Sequence, residues 1–270
     1  MIDKSKIFTI FSYIFIIYIS LLVIIFIFQR SLMYFPIKEK ISKSFYKNTQ
    51  LNLIDINTSD GLILKSLYKK SEANINKTIL VFHGNAGHIG HRVNKFKPFI
   101  EKGYGLLLLE YRGYGENKGK PSKLGLYEDG EAAINYLINQ KIKTENIVVY
   151  GESLGTAIAT KLSTNYSFNM TILEAPFTSV ADVAQKRYWI FPAKYLVLDD
   201  FDILGIIKKI KSPLLILHGY KDYVINITFG KKIFEAAPYP KKALFVQNAG
   251  HNNLFEFNLV NKILNFLDKY

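Results

Sequence analysis

Residues 147–155 read Ile147-Val148-Val149-Tyr150-Gly151-Glu152-Ser153-Leu154-Gly155. Four apolar residues run straight into a Gly-x-Ser-x-Gly pentapeptide, and the small, alanine-rich stretch Thr156–Thr160 follows. A short continuous apolar run suits a strand buried on both faces of a sheet. A serine flanked by glycines, where a strand becomes a helix, suits a sharp, strained turn that presents its hydroxyl at the sheet edge. The chain's own Gly and Ser content would produce the pentapeptide about 0.06 times by chance. Its weight therefore comes from the strand before it and the helix after it.

The same reading extends in both directions. Leu51–Asn57 alternates like an opening strand, Ser59-Asp60-Gly61 signals a turn, and Leu62–Tyr68 is the expected hairpin partner. Short apolar runs recur at Thr78–Phe82, Leu106–Leu109, Ile147–Tyr150, Met170–Leu173, Leu214–Leu217 and Ala243–Val246. Between them lie helical stretches at Gly125–Gln140, Leu154–Leu162, Ile227–Ala237 and Leu254–Leu267. This alternation predicts an α/β fold: right-handed βαβ units building a mostly parallel, doubly wound sheet of about eight strands.

In such sheets ligands bind beyond the carboxyl ends of the strands, so the residues just after each apolar run are the informative ones. Ser153 is one of them. A serine hydroxyl needs a base, and the base needs an orienting acid. Of the five histidines, His83 and His218 end strands and read as packed, hydrogen-bonded residues. His88 and His91 lie three apart at a helix start, with no third metal ligand, so no metal is expected. His251 follows the last strand behind Gly250 and is the expected base. The candidate acids beyond Ser153 are Glu174, Asp182, Asp199, Asp200, Asp202, Asp222 and Glu235. Asp222 follows a buried strand by a short loop and ranks first; Glu174 also ends a strand and ranks second. Asp199 and Asp200 read as solvated or lid charges. An oxyanion needs backbone donors: Leu154 N–H at the start of the helix, and Asn85 N–H in the loop behind His83-Gly84. Neither G-x-x-x-x-G-K-[ST] nor G-x-G-x-x-G occurs, so no nucleotide and no cofactor is expected.

The 270 residues suffice for one large α/β domain with its own core. Absence of cysteine removes disulfide scaffolds, thiolate metal sites and thiol nucleophiles. The net charge is +13. No zinc-finger spacing, RNP-type aromatic motif or lysine-rich tail accompanies it, so nucleic acid is not an expected partner. Anionic membrane lipid is the better counterpart.

The N-terminus supports that reading. Ile7 to Phe28 carries no charge, Gly or Pro over 22 residues. At about 1.5 Å per residue a helix of this stretch covers the roughly 30 Å hydrocarbon core. The run exceeds the roughly 7–15 residues of a signal-peptide core, and no small-x-small site follows. The expected organisation is a tail at 1–6, a single membrane-spanning helix at 7–28, a polar juxtamembrane linker at 29–50 and one domain at 51–270. Counting Lys and Arg favours a cytoplasmic domain, whereas short N-terminal anchors often export theirs, so the sequence sets no side.

These blocks together resemble the α/β-hydrolase superfamily, and within it the single-pass, membrane-anchored α/β-hydrolase-domain proteins related to lysophospholipases, protein depalmitoylases and serine aminopeptidase-like hydrolases. The matching blocks are His83–Arg92, Tyr111–Gly115, Gly119–Tyr127, Gly151–Gly155, Leu173–Ser179, Leu217–Asp222 and Gly250–Asn252. The resemblance puts Ser153, Asp222 and His251 on the triad positions. It departs at Thr156, where relatives often carry Gly, and at Lys123, where they commonly carry Glu. It implies a serine hydrolase acting on a small-molecule or lipid acyl ester or thioester, with a peptidase as the enzymatic alternative and a membrane-tethered binding module as the non-catalytic one. Residues 178–210 hold Tyr188, Trp189, Phe191, Tyr195 and Phe201. They read equally as a lid over an acyl pocket or as helices packed on the sheet. Oligomeric state is not set by anything in the sequence.

Overall fold

The computed structural model describes residues 4–269. In chain order it begins with helix α1 (Lys4–Met33) and strand β1 (Phe35–Pro36). Strands β2 (Asn52–Asn57), β3 (Ile63–Lys69), β4 (Thr78–Phe82) and β5 (Ala86–Gly87) follow, then α2 (Val93–Glu101), β6 (Gly105–Leu109) and α3 (Lys123–Asn139). The central units are β7 (Ile147–Glu152), α4 (Gly155–Asn165) and β8 (Met170–Glu174). The insertion holds α5 (Val180–Arg187) and α6 (Ala193–Leu196). The chain closes with β9 (Leu214–Gly219), α7 (Ile227–Ala236), β10 (Lys241–Val246) and α8 (Leu259–Leu267).

Eight strands form one sheet in the order β10-β9-β8-β7-β4-β6-β3-β2. All neighbours pair in parallel except β3 with β6 and β2 with β3. The strand order reverses at β4, which has β6 on one side and β7 on the other. That reversal is the crevice where doubly wound sheets bind ligands, and β7 is the strand that leads into Ser153.

The apolar runs are explained by burial on both faces. Leu80 and Phe82 of β4 point into the core formed with Leu126, Ile134, Ile158 and Leu162 of α3 and α4. Ile79 and Val81 of the same strand point into the core formed with Phe96, Phe99, Ile263 and Phe266 of α2 and α8. Each such side chain contributes about 1.5–3 kcal/mol by leaving water. The sequence pattern understated α2, whose buried Val93, Phe96, Phe99 and Ile100 recur at helical spacing but with Pro98 among them.

The N-terminal region differs from the expected organisation. Of the 1–6 tail, residues 1–3 lie outside the described residues and Lys4–Lys6 are already helical. Helix α1 continues five residues past Phe28, and none of its residues is buried. It is long and apolar enough to cross a membrane. The stretch 29–50 is no free linker. Tyr34, Ile41 and Thr49 are buried, and β1 pairs in parallel with β5. The reason is composition: Tyr34, Phe35, Ile37 and Ile41 interrupt the lysines and give the segment an apolar side to dock.

The insertion divides. Phe201 is fully buried beside Tyr127, whereas Trp189 is 79% and Tyr195 is 85% exposed. Phe191 stacks on Tyr18 of α1 at 5.6 Å between centroids. Tyr18 Oη donates to Ile190 O at 3.1 Å, and Gln29 bonds both Leu196 O and Leu198 N. The insertion therefore packs on the N-terminal helix as well as on α3. Asp199, expected as a solvated or lid charge, is not solvated: it is buried at the end of the insertion. It accepts from Arg30 Nε at 2.8 Å and from Tyr34 Oη at 3.1 Å.

Candidate active site

Strand β7 ends in a turn that its residues force to be tight. Ser153 has φ +50°, a left-handed conformation that costs an L-residue strain. A β-carbon at Gly151 would stand 2.5 Å from Gly155 O, and one at Gly155 would stand 2.0 Å from Phe82 O. Only glycine fits either place. The turn is pinned by Ser153 N donating to Glu174 O at 2.8 Å. Thr156, the residue that departs from the family pattern, donates its hydroxyl to Ser153 O at 2.5 Å. That bond braces the turn from its helix side.

The loops after β9 and β10 meet. Lys221 N donates to Ala249 O at 2.9 Å, and Tyr220 N donates to Val246 O at 2.9 Å. They bring His251 Nδ1 to 2.7 Å from Asp222 Oδ2. Asp222 Oδ1 accepts from Val224 N and Ile225 N, and His218 Nε2 lies 3.4 Å from Oδ2. Burial by itself raises the Asp222 carboxyl. Hydrogen bonds from His218 and His251, the His251 charge and the Ile225 N–H outweigh it and hold the group well below the usual carboxylate range. An ionised Asp222 fixes the proton on His251 Nδ1 and leaves Nε2 as the basic atom. A cleft of about 410 Å³ opens beside His251, lined among others by Tyr223, Val224 and Asn248. No hydrogen bond joins Ser153 Oγ to His251 among the described residues.

Asn85 lies in the turn after β4, the strand next to Ser153's own. Its N–H and that of Leu154 have no acceptor among the described residues, so both are available to an incoming oxygen. The Asn85 carbonyl is occupied, accepting from Phe35 N at 2.9 Å and Tyr114 Oη at 2.8 Å.

The profile of the family described as "Serine aminopeptidase, S33" matches residues 73–197. Alpha/beta hydrolase domain-containing protein 17B of Homo sapiens is 34% identical over 201 residues, covering 73% of this chain and 68% of its own. The chain belongs to the α/β-hydrolase superfamily. An uncharacterized protein of Mycobacterium tuberculosis is 32% identical over 227 residues, covering 83% of this chain and 81% of its own. Among solved structures, an esterase of Pyrococcus furiosus superposes with TM-score 0.70 at 19% identity, covering 88% of this chain and 98% of its own. An α/β-hydrolase of Vibrio vulnificus superposes with TM-score 0.68 at 22% identity, covering 81% and 82%.

The hydrolase places the runner-up acid elsewhere. Glu174 accepts from Lys95 and from Tyr150 Oη, both at very short range. Lys95 also pairs with Glu152 at 2.9 Å, and Arg92 pairs with Glu152 at 3.0 Å. Burial raises the Glu152 carboxyl, but the charges of Lys95 and Arg92 outweigh it and keep it ionised. Glu174 is thus committed to a buried ion cluster beneath the turn. His83, as read from the sequence, is buried, with Nε2 3.1 Å from Glu110 Oε1. His88 accepts from Gly90 N, and no group of three metal-ligating side chains occurs among the described residues.

Two features of this hydrolase's site were not read from the sequence. Arg92 stands in the His83–Arg92 block without a role of its own and Lys95 belongs to no motif, although a cation is the natural partner for a carboxylate preceding the serine. The β1–β5 ribbon is two residues long and carries no periodic signal.

Proposed function

We propose that this α/β-hydrolase is a membrane-anchored serine hydrolase that cleaves an acyl ester or thioester of a lipid or lipidated substrate. Ser153 attacks the carbonyl. His251 Nε2 takes the serine proton and later delivers it to the leaving group. Asp222 holds His251 in the tautomer that makes this possible, and the N–H groups of Asn85 and Leu154 hold the oxyanion. The observation that carries the reading is the His251 Nδ1–Asp222 Oδ2 hydrogen bond of 2.7 Å at the sheet edge where Ser153 adopts φ +50°.

Helix α1 supplies the anchor, spanning the bilayer over about residues 7–28. The exposed aromatics Trp189 and Tyr195 support the lipid reading, because they belong to the insertion that packs on that apolar helix through Phe191 and Ile190. A peptidase specific for free N-termini needs a carboxylate for the substrate ammonium. The two strand-end candidates are spent: Glu110 is fully buried between His83 and Ile89 N, and Glu174 is held by Lys95 and Tyr150.

The test compares full-length protein in detergent on medium-chain p-nitrophenyl esters, a lysophospholipid and aminoacyl anilides, and then repeats the esters in vesicles. Hydrolysis of the acyl substrates with little anilide release is expected. Faster turnover of the anilides than of every ester would replace the lipid reading with the peptidase one.

A further inference from the structure

The end of helix α1 reaches the oxyanion loop directly. Asn85 Nδ2 donates to the carbonyl of Met33, the last helical residue, at 2.8 Å. Phe35 N donates to Asn85 O at 2.9 Å. Phe35 and Pro36 pair with Ala86 and Gly87, and Ile37 N donates to Gly87 O at 3.3 Å. Two further contacts tie the strap down: Gly115 N donates to Ile37 O at 2.9 Å, and buried Tyr34 donates to Asp199 at 3.1 Å.

A two-residue parallel ribbon adds little stability by itself. Its consequence lies in where it sits. Met33 O is one of the carbonyls a helix C-terminus leaves unpaired, so it readily accepts from the Asn85 carboxamide. With the Asn85 side chain bound to Met33 and its carbonyl bound to Phe35 and Tyr114, the main freedom left to its own N–H is rotation about φ. An oxyanion donor works when it stands about 2.7–3.1 Å from where charge develops, and it must be held there before the reaction. A misplacement of about 1 Å costs on the order of 10²-fold in rate.

We infer that Met33–Ile37 is a positioning element for the oxyanion-hole donor Asn85, so that the end of the N-terminal helix sets the geometry in which the acyl group is transferred. The inference rests on the reading of Asn85 N–H as an oxyanion donor. It implies that the helix does more than hold the enzyme at a surface: its C-terminal residues act on the rate constant even for a substrate free in water.

The test uses full-length protein in detergent and a soluble p-nitrophenyl ester. Phe35→Pro deletes the N–H that Asn85 O accepts. Phe35→Ala keeps that N–H while removing the same half-exposed ring. Asn85→Ala keeps the N–H of residue 85 and removes the carboxamide bond to Met33. Rates are expressed per serine titrated with a fluorophosphonate, so unfolded molecules do not count. Binding of an alkyl trifluoromethyl ketone, whose adduct oxygen occupies the oxyanion position, is measured alongside.

Phe35→Pro and Asn85→Ala should each lower kcat about 10–100-fold with KM within about two-fold, and weaken the ketone by the same factor. Phe35→Ala should match the wild type. Wild-type kcat in both Phe35→Pro and Asn85→Ala overturns the inference. So does a fall in kcat without weaker ketone binding, or an equal fall in Phe35→Ala. Should Phe35→Pro yield no titratable serine, Asn85→Ala decides by the same two readings. Turnover surviving in Ser153→Ala removes the underlying site. Its loss there, with wild-type rates in the strap variants, removes the strap alone.

Discussion

A β-carbon on Gly155 would stand 2.0 Å from the carbonyl oxygen of Phe82. The first turn of α4 therefore rests on the end of β4, and the two loops that leave these strands are locked to each other. One carries Ser153, the other His83-Gly84-Asn85. Gly155→Ala must push the helix off the strand, against backbone that has nowhere to move. The expected cost is about 3 kcal/mol or more. It is read as a lower urea midpoint with unchanged slope; a wild-type midpoint would mean that the helix end shifts freely.

Lys95 faces two carboxylates at once, those of Glu152 and Glu174. Lys95→Met keeps the length of the side chain but leaves both acids without that partner in a poorly solvated place. Breaking a buried pair this way costs about 3–5 kcal/mol. Adding Glu174→Gln should recover part of the loss, because one of the stranded charges goes with it. Two single-variant losses that simply add in the double variant would show that the residues do not act as a cluster.

The orienting acid is separable from its rival. Asp222→Asn should reduce kcat about 10⁴-fold by releasing the wrong His251 tautomer, while leaving the serine in place. Glu174→Gln should spare turnover far better, since its carboxylate is bound to Lys95 and Tyr150 rather than to a histidine. The reverse ranking of the two variants would move the acid to the end of β8.

Acidification acts on activity and on stability through different groups. The Asp222 carboxyl, held well below its ordinary range, stays ionised through the region where imidazoles usually titrate, about pH 6–7. Hence kcat/KM should fall with decreasing pH along a limb of unit slope that reports one proton on a base other than Asp222. For stability the sign is that of a depressed acid. The contribution of Asp222 is complete above its unfolded value near pH 4 and is lost as pH falls below it. Urea midpoints should therefore drop more steeply below about pH 4 in the wild type than in Asp222→Asn. A flat kcat/KM profile down to about pH 5 would remove His251 as the base.

The sheet was legible because its strands are buried on both faces. Continuous runs such as Thr78–Phe82 and Leu214–Leu217 have few other physical uses, and they appear within a residue or two of where they were read. The candidate site was legible for a related reason. A doubly wound sheet collects its useful residues at the strand ends, so position singles out Ser153 and His251 and ranks Asp222 ahead of Glu174, which also ends a strand. Contacts between distant segments were not legible. Nothing periodic marks Phe35-Pro36 as a partner of Ala86-Gly87, and lysine-rich surroundings made the whole stretch look like a linker. Asp199 looked solvated for the same reason: Arg30 and Tyr34, which bury it, lie some 165 residues earlier in the chain. Glu152 and Glu174 were visible as residues but not as a cluster, since Lys95 comes from a helix that Pro98 obscured.

The central claim is that Ser153 is an activated nucleophile, and labelling with a fluorophosphonate tests it most directly. Full-length protein in detergent should label once per chain, and ester turnover should disappear as labelling proceeds. Ser153→Ala should not label, its kcat should fall on the order of 10⁴–10⁶-fold, and its thermal midpoint should stay close to the wild type. Labelling or wild-type turnover that persists in Ser153→Ala would contradict the account at its root.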